Sequence, residues 1–121
     1  MEYDLITTRA DGYLYARVRA IAITPAITIR LLREVKNELT AARNGRLLLE
    51  CEIAHALDES EAFALTGELL RMMHGLRIAF VNRDTRHFRA FNLSVGLAVS
   101  TGEDHRFFAD PSTAREWLLR E

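Results

Sequence analysis

The segment Arg46–Val81, RLLLECEIAHALDESEAFALTGELLRMMHGLRIAFV, decides the fold. It begins and ends with short apolar runs, RLLLECEI and LRIAFV, whose near-continuous hydrophobicity is typical of strands covered on both faces. Between the runs, apolar residues recur at helical spacing: Ala62, Leu65, Leu69 and Met73. Gly75 marks the end of that helix. A strand, a helix and a second strand in this order predict parallel strands joined by a right-handed crossover.

The sequence before this segment predicts a β-hairpin and a helix. The strand-like runs YDLITTR and YLYARVR are separated by Asp11 and Gly12, which favour a tight hairpin turn. Thr24 followed by Pro25 is typical of an N-cap and the first helical position. The pair Asn44-Gly45 ends this helix, whose apolar residues are spaced to share one face: Ile27, Leu31, Leu32, Val35, Leu39 and Ala42.

The sequence after the segment predicts two more helices and one more strand. Asp84 is suited to cap a helix with three apolar residues on one face: Phe88, Phe91 and Val95. The run HRFFA has the pattern of a short strand, and Asp110-Pro111 begins a last helix that we expect to bury Ala114, Trp117 and Leu118. The sequence therefore predicts a single α/β domain over residues 1–121, with a mixed sheet of about five strands and about four helices.

Composition narrows the classes of function. The chain has 121 residues, 49% of them hydrophobic, and a net charge of -1, so no overall field attracts it to nucleic acid or to an anionic membrane. No apolar run approaches the roughly 20 residues that span a bilayer. Cys51 is the only cysteine, which excludes an intramolecular disulfide and favours a reducing cytoplasm. We therefore expect a cytoplasmic protein with no membrane span and no nucleic-acid partner.

The end of the chain carries a specific pattern. It matches F-x-D-x-x-x-A-x-x-W-L at Phe108, Asp110, Ala114, Trp117 and Leu118. With RLLLE and LRIAFVN in the places of the central strands, the chain resembles a STAS domain of the compact bacterial branch, similar to stage II sporulation protein AA. The resemblance runs from about Leu5 to Leu119 and implies a non-catalytic regulatory module. The partners it implies are proteins such as kinases, sigma-factor regulators or transporters.

The turn Asp58-Glu59-Ser60-Glu61 is the first candidate binding site. The resemblance implies a regulatory turn here, with a phosphoacceptor in a motif like Asp-Ser-Ser-Gly. In this chain Glu59 stands at the usual acceptor position, Glu61 replaces the glycine, and Ser60 is a shifted acceptor. The other interpretation is a capping box, because Asp58 and Glu61 have the spacing that satisfies the amides of a helix start. A fixed charge at Glu59 would also be favoured there by the helix dipole.

The segment VNRDTRHFRAF contains a second candidate site, for an anion. Arg83, Arg86 and Arg89 recur every three residues with His87 beside them, so positive side chains and helix-start amides are able to converge on a phosphate or carboxylate. The other interpretation is a solvated helix face with local ion pairs. Nucleic-acid recognition would need exposed aromatic rings that stack with bases, but the phenylalanines of this segment belong to the apolar stripe.

The remaining polar residues provide weaker candidates for catalysis. Cys51 and His55 lie four residues apart near a strand end, where a thiolate and imidazole pair would sit, and Glu50 and Glu52 are a possible acid and base. The four histidines have no metal-ligand spacing, so we predict no metal and no cofactor. We expect a non-catalytic STAS-like module that binds a protein partner or itself. The alternatives are a small anionic or lipid-like ligand, or a small enzyme that uses the crevice near Cys51 and His55.

Overall fold

The computed structural model describes residues 2–82, 96, 99 and 101–120. Five strands form one sheet in the order β1-β2-β3-β4-β5. They are β1 (Asp4–Ala10), β2 (Tyr13–Ala22), β3 (Arg46–His55), β4 (Arg77–Val81) and β5 (Asp104–Phe108). β1 is antiparallel to β2, and every later pair of neighbours is parallel. The predicted mixed sheet with an opening hairpin is confirmed.

The hairpin turn depends on Gly12. Its φ is 86°, in the region that favours glycine, and a Cβ built there would lie 3.0 Å from Cδ2 of Leu119. The turn therefore needs glycine for its backbone conformation, and a Cβ at this position would also displace the tip of the partly exposed Leu119 side chain.

Three helices have both ends in the described residues: α1 (Pro25–Ala42), α2 (Glu59–Met72) and α3 (Pro111–Leu119); the described Gly96 and Val99 are also helical. Their starts follow the predicted caps. The side chains of Thr24 and Asp110 accept from backbone amides three residues later, and Asp58 forms the capping box of α2. The helix predicted after Asp84, with Phe88, Phe91 and Val95, falls on residues 83–95, outside the described residues. Among the described residues, no helix is long and apolar enough to cross a membrane.

The sheet buries both of its faces, each against different helices. Alternate residues of β3 point to opposite sides, which is the two-residue period of a strand. Leu47, Leu49 and Cys51 belong to the core under α1 and α2, whereas Leu48 belongs to the core under α3. We refer to these two sides as the α1/α2 face and the α3 face. The prediction that RLLLECEI is covered on both sides is confirmed from Leu47 to Cys51, whereas the Glu52 side chain is exposed.

The last helix docks as predicted, with one correction. Ala114 and Leu118 are completely buried, but Trp117 is only partly buried and packs at the margin of the α3 face. The Arg77 guanidinium lies 4.2 Å from the centre of the Trp117 ring, and the Phe108 ring lies 5.6 Å away. Trp117 therefore covers the edge of the core, which explains its partial exposure, and its ring stacks with the Arg77 cation.

Candidate functional site

A cavity of about 120 Å³ lies in the core of the α1/α2 face. Its walls come from the inner side of strands β2 to β5 and from helices α1 and α2, and its lining is almost entirely apolar. Folded interiors are close-packed and contain few voids larger than a water molecule. A cavity of this size therefore stands out from the rest of the core.

The small side chains of α2 explain why the space is open. Ala62 and Thr66 are buried, lie one helical turn apart and line the cavity. The Thr66 hydroxyl donates to the Ala62 carbonyl at 2.7 Å, and on α1 the Thr28 hydroxyl donates to the Thr24 carbonyl at 2.9 Å. Both hydroxyls are satisfied within their own helices. The two threonines therefore add little polarity to the wall.

His105, on β5, is the polar exception in this lining. It is 6% exposed, and its ring meets Phe80 edge-on with the ring centres 5.9 Å apart. Its Nε2 atom is buried and has no hydrogen-bond partner among the described residues. Burial lowers the pKa of His105, while nearby Glu103 and a hydrogen bond to the Met73 backbone oppose that effect. The ring is therefore neutral near pH 7.

Glu103 fixes the region beside His105. Its Oε1 accepts from the Gly75 amide at 3.0 Å, and its Oε2 lies 2.7 Å from Nδ1 of His74. The Gly75 hydrogen bond, together with His74, lowers the pKa of Glu103. These contacts hold the chain after α2 against the start of β5. They keep the Met73 backbone next to the His105 ring.

Cys51 and His55 do not form the thiolate and imidazole pair that was a candidate from the sequence. Cys51 lines the cavity, and burial raises the pKa of its thiol to about 12, so it is protonated and a poor nucleophile. His55 is exposed at the end of β3. Four residues of strand separate the two positions by about 13 Å, well beyond hydrogen-bond distance.

Glu50 and Glu52 lie on the opposite face of the sheet, and both have partners. The Tyr15 hydroxyl donates to Glu50, and burial and this hydrogen bond raise the pKa of Tyr15 to about 12. Glu52 accepts from Nε of Arg19 at 3.0 Å, and Arg17 lies 4.0 Å away. The two carboxylates are thus engaged in local polar contacts.

The turn Asp58–Glu61 forms the capping box in full. Asp58 Oδ1 accepts from the Glu61 amide at 2.8 Å, and Glu61 Oε1 accepts from the Asp58 amide at 3.2 Å. Glu59 and Ser60 are exposed beside them, and Phe63 one turn later is 60% exposed. Two members of the turn therefore serve the helix start. The other two face solvent next to an exposed aromatic ring.

The predicted anion site, Arg83, Arg86, His87 and Arg89, lies outside the described residues and stays a prediction. In the part of the chain that the structure describes, no group of three or more His, Cys, Asp or Glu side chains is placed to hold a metal ion.

Comparison with solved structures shows a similar fold in another protein. The fold is similar to that of an uncharacterized protein of the DUF3478 family from Shewanella loihica, whose crystal structure has a SpoIIAA-like fold. The TM-score is 0.58, the sequence identity is 15%, and the likeness covers 96% of this chain and 93% of that chain. No family model matches the chain, and no curated protein matches it in sequence. The chain thus has a SpoIIAA-like fold, as the STAS resemblance implied.

The sequence did not identify His105 or the cavity. His105 was one of four scattered histidines, although in HRFFA it alternates with the exposed Arg106 and therefore takes an inward position. That alternation was the available signal for a buried histidine. The cavity had no such signal, because it depends on how far α2 stands from the sheet.

Proposed function

We propose that the protein is a non-catalytic STAS-like binding module that holds a small, lipid-like molecule in the cavity of the α1/α2 face. The observation that carries this proposal is the cavity itself, about 120 Å³ of almost wholly apolar space. In another protein, an engineered apolar cavity of about 150 Å³ stays dry and binds benzene. Burial of apolar ligand surface supplies the driving force.

The shape of the cavity favours an elongated ligand. Its lining extends from Leu57 and Ala62, at the start of α2, to Met73, just after its end. Eleven residues of helix span about 16 Å, so a narrow space of this volume suits an alkyl chain or a substituted ring. A compact polar metabolite would find few hydrogen-bonding groups in such a lining.

The non-catalytic part of the proposal rests on the state of the polar side chains. The Cys51 thiol is protonated and distant from His55. Glu50 and Glu52 lie on the other face of the sheet, in contact with a tyrosine and arginines. A catalytic site needs convergent polar groups in a concave pocket, and the cavity brings His105 together with apolar side chains.

Melting curves with n-alkylbenzenes, from toluene to butylbenzene, test this proposal. The probes should raise the melting temperature by binding the folded state, and the rise should grow with chain length until the cavity is filled. Ala62→Leu fills the cavity and should abolish the effect. Ala64→Leu, on the exposed side of the same helix, is the matched control and should keep it. No effect on the wild type, or an equal effect in Ala62→Leu, would refute the proposal.

A protein partner, or a second copy of the chain, is the second candidate. Two exposed apolar side chains, Ile21 at 80% and Phe63 at 60%, lie near the edge of the sheet where β2 and β3 end. The acidic turn with Glu59 and Ser60 begins α2 at the same edge. This mixed surface fits a partner with a basic and apolar patch.

Capture from the native cells, together with sedimentation of the purified protein, tests the second candidate. Phe63→Ser should release a partner or dissociate a dimer. Ile6→Ser, which changes another exposed apolar residue on β1, should leave both unchanged. Equal behaviour of the two variants would count against this surface.

A further inference from the structure

We infer that α2 packs in the antiparallel direction against α2 of a second copy of the chain, through the outward stripe of this helix. The residues of the stripe are all exposed and recur at helical spacing: Ser60, Phe63, Ala64, Gly67 and Arg71. The inference rests on the second candidate of the proposed function, a surface that includes Phe63, and it names a second copy as the partner. It is independent of the cavity, which lies on the inner side of the same helix.

An exposed aromatic ring and a position without a side chain lie one turn apart on the stripe. Phe63 is 60% exposed, and a phenylalanine ring buries a large apolar area when it enters an interface. Gly67 follows four residues later, and a Cβ built on it would lie 3.8 Å from Nη1 of Arg71, which is an ordinary contact distance. Helices pack when side chains of one enter grooves of the other. Phe63 of one copy therefore has room to pack beside Gly67 of the other.

The charges along α2 are complementary to those of the same helix in the reverse direction. The first turn contains Glu59 and Glu61, and the last turn contains Arg71. Arg71 takes part in none of the ion pairs between described residues. In an antiparallel pair, Glu59 of each copy lies beside Arg71 of the other, and the two helix dipoles have opposite directions. A parallel pair would bring like charges together at both ends, so the charges favour the antiparallel direction.

One register satisfies the apolar and the charged contacts together. When Ala64 lies opposite Gly67 of the second copy, Ser60 and the neighbouring Glu59 lie opposite Arg71. Two-fold symmetry makes each of these contacts occur twice. Within one chain, Glu59 and Arg71 are about 18 Å apart along the helix, so they are able to pair only between copies. This self-complementarity favours a second copy as the partner, and the small area of one helix pair indicates a weak, reversible dimer.

Charge exchange, measured by sedimentation equilibrium, tests the antiparallel direction. Glu59→Arg and Arg71→Glu should each raise the dissociation constant of the dimer about tenfold, because each brings like charges together at both ends of the contact. An equal mixture of the two variants should form a heterodimer about as tight as the wild-type dimer, since opposite charges then meet again. Glu38→Arg makes the same change of charge on the exposed side of α1 and should leave the dissociation constant unchanged. A mixture that does not associate would contradict the antiparallel arrangement.

Gly67→Leu tests the close packing of the two helices while the fold is kept. Glycine is a poor helix former and this position is exposed, so α2 should stay at least as stable in the variant. The added side chain would keep the two helices apart and should raise the dissociation constant at least about tenfold. Thermal unfolding of every variant shows whether the monomer is folded.

The outcomes distinguish this inference from the proposed function. A wild-type protein that stays monomeric up to about 1 mM would overturn the inference, whether or not alkylbenzenes bind the cavity. If Phe63→Ser releases a different protein from that monomer, the surface binds that protein and not a second copy. A wild-type dimer that all three α2 variants leave unchanged would use another surface, which also overturns the inference. Alkylbenzenes that fail to bind, together with a dimer that the mixed variants restore, would refute the cavity proposal alone.

Discussion

The two faces of the sheet are built from similar strands but are covered in different ways. On the α3 face, Ala114 and Leu118 are completely buried against β3, β4 and β5. On the α1/α2 face, α2 presents Ala62 and Thr66, and a cavity of about 120 Å³ remains. Because strand alternation supplies both faces with apolar side chains, the helices cause the difference. The part of the sheet under α3 is filled and stabilises the fold, whereas the part under α2 keeps room for a ligand.

Truncation of the Leu118 side chain should lower the free energy of unfolding more than the other substitutions below. It measures how much the packing under α3 contributes to stability. Leu118→Ala leaves a void where the side chain is fully buried, and should cost about 3 to 5 kcal/mol in the free energy of unfolding. Leu69→Ala, at a partly buried position that already borders the cavity, should cost less. Trp117→Ala should cost about 2 kcal/mol, since the ring is partly exposed. Denaturant unfolding measures all three, and an equal cost for Leu118 and Leu69 would remove the contrast between the faces.

Replacing one alanine on each face with leucine adds volume instead of removing it, and so tests whether each face has free space. Ala114→Leu forces extra volume into a packed core and should cost about 1 to 3 kcal/mol. Ala62→Leu adds the same atoms to a helix beside the cavity, so its cost should stay below about 1 kcal/mol. Thermal and denaturant unfolding compare the two. If Ala62→Leu destabilised the protein as much as Ala114→Leu, the space next to α2 would not be open.

The helix caps give a smaller effect that should be the same on both faces. Asp58 caps α2 and Asp110 caps α3, so replacing either with alanine should cost about 1 kcal/mol. Glu59→Gln should barely alter stability, because the side chain is exposed and glutamine keeps its size and its acceptor oxygen. If Glu59→Gln changes the affinity for a partner while Asp58→Ala and Asp110→Ala do not, the partner binds the charge at Glu59. Phosphate on Ser60 in protein isolated from its own cells would show that the turn is a switch.

The pH dependence of stability tests whether His105 is buried and neutral on the α1/α2 face. Burial lowers the pKa of His105 in the folded state, although Glu103 and Asp104 oppose the shift. The unfolded chain therefore binds more protons as the pH falls below about 6.5, and stability should decrease from that pH downward. The lowered pKa of Glu103 adds a loss only below about pH 4.5, when its unfolded form becomes protonated. His105→Asn should flatten the curve between these pH values, and an unchanged curve would contradict a buried neutral ring.

Local sequence patterns were sufficient for much of this architecture. The Asp11-Gly12 turn, the Thr24-Pro25 start of α1 and the Asp58 capping box depend on residues close in sequence, and all are present. The near-continuous apolar run RLLLECEI likewise predicted a central strand covered on both faces. The partial exposure of Trp117 was missed because helical spacing does not show where the margin of the core lies, and the ring packs at that margin beside Arg77, forty residues earlier in the chain. The cavity was missed for the same reason, since it results from packing between elements distant in sequence.

Xenon binding to crystals of the protein tests the central claim most directly, because xenon enters apolar cavities without needing hydrogen bonds. Diffraction data from a pressurised crystal should show xenon between α2 and the sheet, within reach of Ala62 and His105. No xenon is expected between α3 and the sheet around Leu118. Xenon density under α2 in the wild type, and its loss in Ala62→Leu, is the predicted result. An empty α1/α2 face, or equal occupancy on both faces, would contradict the account.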